Sequence, residues 1–468
     1  MAAPEKKPEV ALEQRDGFQS KWGFILACIG SAVGMGNIWR FPIMVSKYGG
    51  MTFLIPYFVC VVLIAMSGVM GEFALGRKAG AGPIGAFGFA TNNRTGKKKV
   101  GEYIGIIPVL ASMALAIGYT VVTGWVFKYT FMALSGSLFN LGTDMGAIGG
   151  AFGATAPETA TLGESMSVVF SGAAGNNLWQ IIGLIVSLAI MAMGIAGGIE
   201  KANKIMMPVL FFLFVGLGIY IFTLPGASEG YKYIFTLNPK GLLNWEVWIF
   251  AFGQAFFSLS VSGNGSVIYG SYLSKDEDLM SSARNVGLFD TMAALLAAFT
   301  IIPAMAAGGA ELSSGGPGLM YVWLVRVFNG MPGGRFVGII FYVSVLFAAV
   351  SSIVNLYEAP VATLQEQFGL KRIPAVAIIG GIGGVISICI QGITSGWMDA
   401  VSIYICPLGA MLAGIMIFWV MKKEKAMEAF NDGANKPVGD WIIKLGKWVY
   451  VPLCLVALIA GAVLGGIG

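Results

Sequence analysis

The chain has 468 residues, 56% hydrophobic and only 11% charged, with a formal net charge of +5 and no histidine. That much apolar surface excludes a soluble globular fold. Without histidine, a Walker phosphate loop or a metal-ligand cluster, histidine catalysis and ATP-driven pumping are disfavoured and no enzyme is expected.

Charge-free runs follow one another along the chain. The first is Trp22–Trp39, and it is followed by Tyr48–Gly71, Ile104–Phe127, Ser165–Ile199, Ile205–Ser228, Val247–Ser274, Thr291–Ala310, Phe336–Tyr357, Ile373–Met398, Ala400–Met421 and Trp448–Gly468. A bilayer core takes roughly 20 helical residues, so these runs predict an all-α polytopic membrane protein of about 11 transmembrane helices. The N-terminal residues 1–21 are charged and lack the apolar core of a cleavable signal peptide, so they are expected to be a cytoplasmic tail. Residues 22–421 would form a ten-helix core, and residues 422–468 a cytoplasmic loop and the eleventh helix. The loops 131–177 and 311–335 are expected outside, and the basic loop 77–100 inside.

Basic residues collect on the cytoplasmic side of membrane proteins. With the N-terminus inside, 22 of the 29 Lys and Arg fall on inner segments, so the +5 charge reads as a topology signal and nucleic acid is not an expected partner. An odd number of spans then places the C-terminus outside. The chain is expected to be a multi-pass plasma-membrane protein, the cell inner membrane in a bacterium, with the lipid bilayer as a partner. The five cysteines, Cys28, Cys60, Cys389, Cys406 and Cys454, fall in apolar runs without metal-ligand spacing and read as small buried residues.

Two runs are interrupted. The first breaks at "AVGMGN" (Ala32–Asn37) and the sixth at "SVSGNGS" (Ser260–Ser266), five spans later and in the opposite direction across the membrane. This predicts a 5+5 inverted repeat with broken helices 1 and 6. In lipid, unwound backbone survives only where protein or a water-filled cavity satisfies it, so the paired breaks point to a binding site near the bilayer midplane. Close helix packing is the competing use of these glycines, but Asn37 and Asn264 add a polar group at each break.

The stretches "GSAVGMGNIWRFP" (Gly30–Pro42), "GQAFFSLSVSGNGSVIYGSY" (Gly253–Tyr272) and "FAAVSSIVNLYE" (Phe347–Glu358) resemble the neurotransmitter:sodium symporter family, particularly its eleven-span bacterial amino-acid transporters. The resemblance implies Na⁺ as the coupling ion, bound at two sites. One would use the Ala32 carbonyl, Asn37, Ser258 and Asp290 with the substrate carboxylate. The other would use carbonyls of Gly30, Val33 and Ala348 with the hydroxyls of Ser351 and Ser352. Sodium is a hard cation and takes oxygen ligands, which unwound backbone carbonyls supply. An ionisable residue at membrane depth is a functional expectation by default, and Asp290 is one. Where chloride-dependent relatives have a serine this chain has Ala294, so a fixed Asp290 charge would stand in for chloride.

The resemblance also implies a substrate site. Ala32, Met35 and Gly36 would meet a carboxylate at a half-helix N-terminus, with the Tyr119 hydroxyl as a further donor. Phe257, Ser258, Ser260, Ser262, Gly263, Ile353 and Leu356 would enclose the side chain. Gly34 stands where monoamine carriers have an aspartate, which favours an amino acid as cargo, hydrophobic or aromatic. Gly263 replaces a bulky residue and implies either more volume or a different loop path. Arg40 and Asp399 would pair above the site, with Tyr119 and Phe257 as a lid. Arg15 and Glu366 would pair below it, near Ser271 and Tyr272. The expected function is import of an amino acid with sodium by alternating access, independent of chloride. A carrier of another small solute, a sodium-conducting channel and proton coupling through Asp290 are the alternatives.

Overall fold

The computed structural model describes residues 17–172, 175–309 and 318–465, and the described residues are helical with no strand. Among the described residues, eight helices are long and apolar enough to cross a membrane: Met51–Ala79, Lys98–Ser135, Ile195–Phe222, Leu279–Ala307, Gly334–Phe368, Arg372–Cys389, Gln391–Val420 and Trp441–Leu464. The pair Lys21–Ala32 and Gly36–Tyr48, bent by 65°, adds a ninth. Asn177–Ala192 lies where the fourth span is expected, and Trp245–Ser258 with Gly265–Ser271 where the sixth is expected. The spans below are numbered first to eleventh in this order.

Loops are more helical than the charge-free runs suggest. The inner segment 77–100 holds the helix Pro83–Thr95, begun by a proline at its first position and ended by Gly96 in the left-handed conformation. Proline costs nothing where the N–H has no helical partner anyway, and glycine closes a helix without Cβ strain. The outer segment 131–177 carries Met145–Gly153 and Leu162–Phe170, the latter started by a capping box between Thr161 and Glu164. The seventh span begins at Leu279, well before the charge-free run, because Asp278 caps it by accepting from Ser281 N. Arg284 is thereby carried on the helix rather than in a loop. The segment between the tenth and eleventh spans is pinned by Arg77, which donates to the Glu277, Ala429 and Asp432 carbonyls at 2.6, 2.9 and 2.7 Å.

The third and eighth spans pack along one another and, with the first and sixth, surround the centre of the molecule. Glycines set the closest approaches. A Cβ on Gly30 would overlap the Asn203 side chain of the fifth span, and one on Gly34 would stand 2.7 Å from Ser352 Oγ of the eighth.

Candidate functional site

Each break is built from residues that give the freed backbone a partner. In the first span the helix stops at Ala32, and Val33 leaves helical geometry with ψ of 89°. Asn37 then ties the loose strand, its Oδ1 accepting from Gly34 N at 3.3 Å. In the sixth span Ser260 has φ of +52° and Gly263 φ of +74°, so the turn between Ser258 and Gly265 runs through left-handed backbone. Such strain in a non-glycine residue is held only where the surroundings fix it, and it concentrates at functional sites. Glu72 of the second span supplies part of that hold, accepting from Gly263 N at 2.7 Å. Ser260 Oγ donates to Ser31 O at 2.8 Å and joins the two breaks directly.

Asn37, Ser258 and Asp290 come together from the first, sixth and seventh spans. Asn37 Nδ2 donates to Asp290 Oδ1 at 2.7 Å and to Ser258 Oγ at 3.0 Å, and Ser258 Oγ donates to Asp290 Oδ2 at 2.8 Å. All three are buried, and Asp290 lies about three turns inside its helix, too deep for a headgroup-facing carboxylate. The Asp290 carboxylate and the Ser258 hydroxyl are oxygens suited to a hard cation, and the Asn37 amide meets both through its Nδ2.

The residues expected for a second cation lie between the first and eighth spans. A Cβ on Gly30 would stand 3.2 Å from Ser351 Cβ, and Ser351 Oγ donates to Ala348 O at 3.1 Å. Ser352 Oγ is buried, faces Gly34 and has no hydrogen-bond partner. Val33 is buried at the break itself.

Beside these clusters lies a cavity of about 810 Å³, counting the part that communicates with solvent. Of the residues expected around a substrate, Ala32, Gly36, Tyr119, Phe257, Ser260, Ser262 and Leu356 line it. Met35, Ser258, Gly263 and Ile353 do not. Ser258 is turned to Asp290 instead, and Met35 and Ile353 are packed in the core. Gly263 takes the different loop path rather than adding volume, since a Cβ there would overlap the Gly409 carbonyl of the tenth span. Asn355, Asn264, Leu115 and Ser402 also line the cavity and were not among the expected residues.

The outer gate departs from expectation. Arg40 and Asp399 make no ion pair within 4 Å; the Arg40 guanidinium lies over the Phe257 ring, 4.7 Å from its centroid, with Asp399 in electrostatic reach. Stacking on the ring gives the planar cation an attractive face without a carboxylate. Arg15 lies outside the described residues. Glu366 accepts from Gly82 N with both carboxylate oxygens at 3.0 Å, and Ser271 Oγ donates to Ile268 O at 2.5 Å. Tyr272 OH donates to Glu358 Oε1 at 2.8 Å, and Glu358 forms a bidentate pair with Arg372 at 2.8 and 2.7 Å. Sequence reasoning missed this pair and Glu72, although the rule applied to Asp290, that an acidic residue at membrane depth has a task, would have found both acids.

Two helix breaks joined by a hydrogen bond flank a buried polar cluster and a cavity, an arrangement suited to carrying a small solute across a membrane. The model of the Sodium:neurotransmitter symporter family matches residues 15–140 and 162–464. The chain belongs to that family and is a sodium-coupled, multi-pass membrane transporter. It is 31% identical to a sodium-dependent transporter of Methanocaldococcus jannaschii over 95% of this chain and 90% of the relative. It is 30% identical to the sodium-dependent transporter YhdH of Bacillus subtilis over 89% of this chain and 90% of the relative. The crystal structure of MhsT in complex with L-phenylalanine is similar at a TM-score of 0.81 and 32% identity, covering 95% of this chain and 99% of that one.

Proposed function

We propose that the protein imports a hydrophobic or aromatic amino acid together with sodium by alternating access, without need of chloride. The observation that carries the reading is the Asn37–Ser258–Asp290 cluster beside the cavity between the two helix breaks. A substrate carboxylate at the Gly36 end of the cavity would face the amides of the second half-helix, Gly36–Tyr48, and the Tyr119 hydroxyl, and would complete the oxygen shell of the first sodium. Apolar lining from Leu115, Phe256, Phe257 and Leu356 suits an apolar side chain, and the likeness to MhsT bound to L-phenylalanine supports the same class. A second sodium would lie among Gly30, Val33, Ala348, Ser351 and Ser352. Arg40, Phe257, Tyr119 and Asp399 would close the outer route, and Arg15 with Glu366 the inner one.

The same reading takes residues 22–421 as the working core, with 1–21 as a cytoplasmic tail, 422–468 as an appended loop and helix, and the C-terminus outside. Proteoliposomes given a panel of labelled amino acids with and without a sodium gradient test it. Uptake of at least one apolar amino acid should saturate and should collapse when sodium is replaced at fixed pH. Sodium flux without solute would favour a channel instead, and uptake that persists without sodium but follows pH would favour proton coupling through Asp290.

A further inference from the structure

We infer that Asn203, on the fifth span, contributes its side-chain oxygen to the second sodium site, an inference that rests on the placement of that site proposed above. The fifth span presses two side chains one turn apart, Glu200 and Asn203, into two glycines two turns apart on the first span, Gly23 and Gly30. The oxygens of Glu200 are taken: they accept from Gln19 N at 2.7 Å, Ser20 Oγ at 2.9 Å and Lys204 Nζ at 2.6 Å. Those of Asn203 are not. Its Nδ2 donates to Ile199 O at 2.9 Å, which sets which end of the amide faces the first span. Oδ1 therefore points at Gly30, fully buried and without a hydrogen-bond donor.

A buried acceptor left unpaired is costly, and no donor reaches this one. Ser351, against the same glycine, already gives its hydroxyl proton to Ala348 O, and glycine has no side chain to donate. Ser352 Oγ, one residue on, is also buried and unpartnered. Oxygens that carry no proton or have given it away, as at Asn203 and Ser351, suit a cation, and the free Ser352 hydroxyl can turn its lone pairs to one. Asn203 would bring the five expected donors to six, an all-oxygen shell of the kind hard cations take. The amide also joins the fifth span to an ion otherwise held by the first and eighth, so that sodium occupancy would draw three elements together.

The test is the sodium midpoint for thermal stabilisation of the purified protein without amino acid, followed in Asn203→Leu, Asn203→Asp and Ser352→Ala. Asn203→Leu keeps the branched shape and loses the oxygen, so its midpoint should rise about tenfold. Asn203→Asp keeps an oxygen and should stay at or below the parent's midpoint. If Asn203→Leu does not fold, Asn203→Ala, which adds no bulk, takes its place with the same expectation. A parental midpoint in the Leu or Ala variant, with a raised one in Ser352→Ala, overturns the role of Asn203 and leaves the second site standing. Parental midpoints in all of them overturn the second site itself. Equal losses in Asn203→Asp and Asn203→Leu overturn the inference in favour of packing.

Discussion

Asp290 accepts from both Asn37 and Ser258, so any one of the three disturbs the oxygens of the other two when it is replaced. Asp290→Asn removes the charge proposed to face sodium and Ser258→Ala removes an oxygen. Each should raise the sodium midpoint for amino-acid binding by about tenfold or more, read from binding across a sodium titration. Unchanged midpoints in both would remove this cluster from the cation site. Gly36 tests the break itself. A Cβ there would stand 2.8 Å from Phe257 Cε1, close enough to displace a ring that lines the cavity but not to disturb backbone. Purified Gly36→Ala should keep nearly the parent's thermal stability without ligand, and should gain much less from added sodium and substrate, which stabilise by mass action. Equal stabilisation of parent and variant would mean that the glycine serves packing alone. The side chains of this site were legible through the resemblance of the three stretches that hold the breaks and the eighth span, and Asp290 also as an ionisable residue at membrane depth. Asn203 and Asn355 were not, since an asparagine in an apolar run looks the same whether it caps its own helix or faces a ligand.

At the scale of elements, caps and buried acids decide where helices begin and bend. Asp278 starts the seventh span and also accepts from Asn435 N at 3.1 Å and Asn435 Nδ2 at 2.8 Å, joining that start to the loop before the eleventh span. Burial works against its charge, but the N–H donors of Ser281, Asn435 and Met280 outweigh that and hold its carboxyl below the usual carboxylate range. A carboxyl whose folded pKa is depressed contributes stability above its unfolded value, about 4, and loses it as pH falls through the folded value. Asp278→Ala should therefore cost about 1 kcal/mol at neutral pH. The gap in thermal midpoint between parent and variant should be level from about pH 5 to 8 and shrink below about pH 4. A gap independent of pH would show that the carboxylate charge is not what caps the helix. The breaks at Ala32–Asn37 and Ser260–Ser266 were legible from glycine and asparagine in apolar runs. The hold that Glu72 exerts on Gly263 was not, because nothing in either local sequence says that the second span passes the sixth at that height.

For the whole molecule, charge balance around Asp290 bears on the coupling ions. Ala294, one turn further along the same helix, is buried and has no hydroxyl to offer an anion, while Asp290 is a fixed carboxylate at the cluster. Sodium-driven uptake should run at the same rate in chloride and in gluconate, measured in proteoliposomes with matched gradients. A several-fold loss in gluconate would show that a mobile anion is needed after all.

Composition and hydropathy by themselves determined that this chain lives in a bilayer, that it crosses many times and where two crossings break, because lipid forces every backbone polar group to be satisfied within a helix or at a deliberate interruption. The resemblance carried by the stretches at those interruptions implied sodium as the coupling ion. Only the tertiary structure decided which oxygens meet. Asn37, Ser258 and Asp290 are drawn from three spans separated by more than 250 residues end to end, Arg40 rests on Phe257 rather than on Asp399, and Tyr272 turns to the Glu358–Arg372 pair. Such choices depend on the heights and rotations at which helices pack, which are set by close approaches such as Gly30 on Asn203 and Gly263 on Gly409, and those are properties of pairs of segments that no single segment carries.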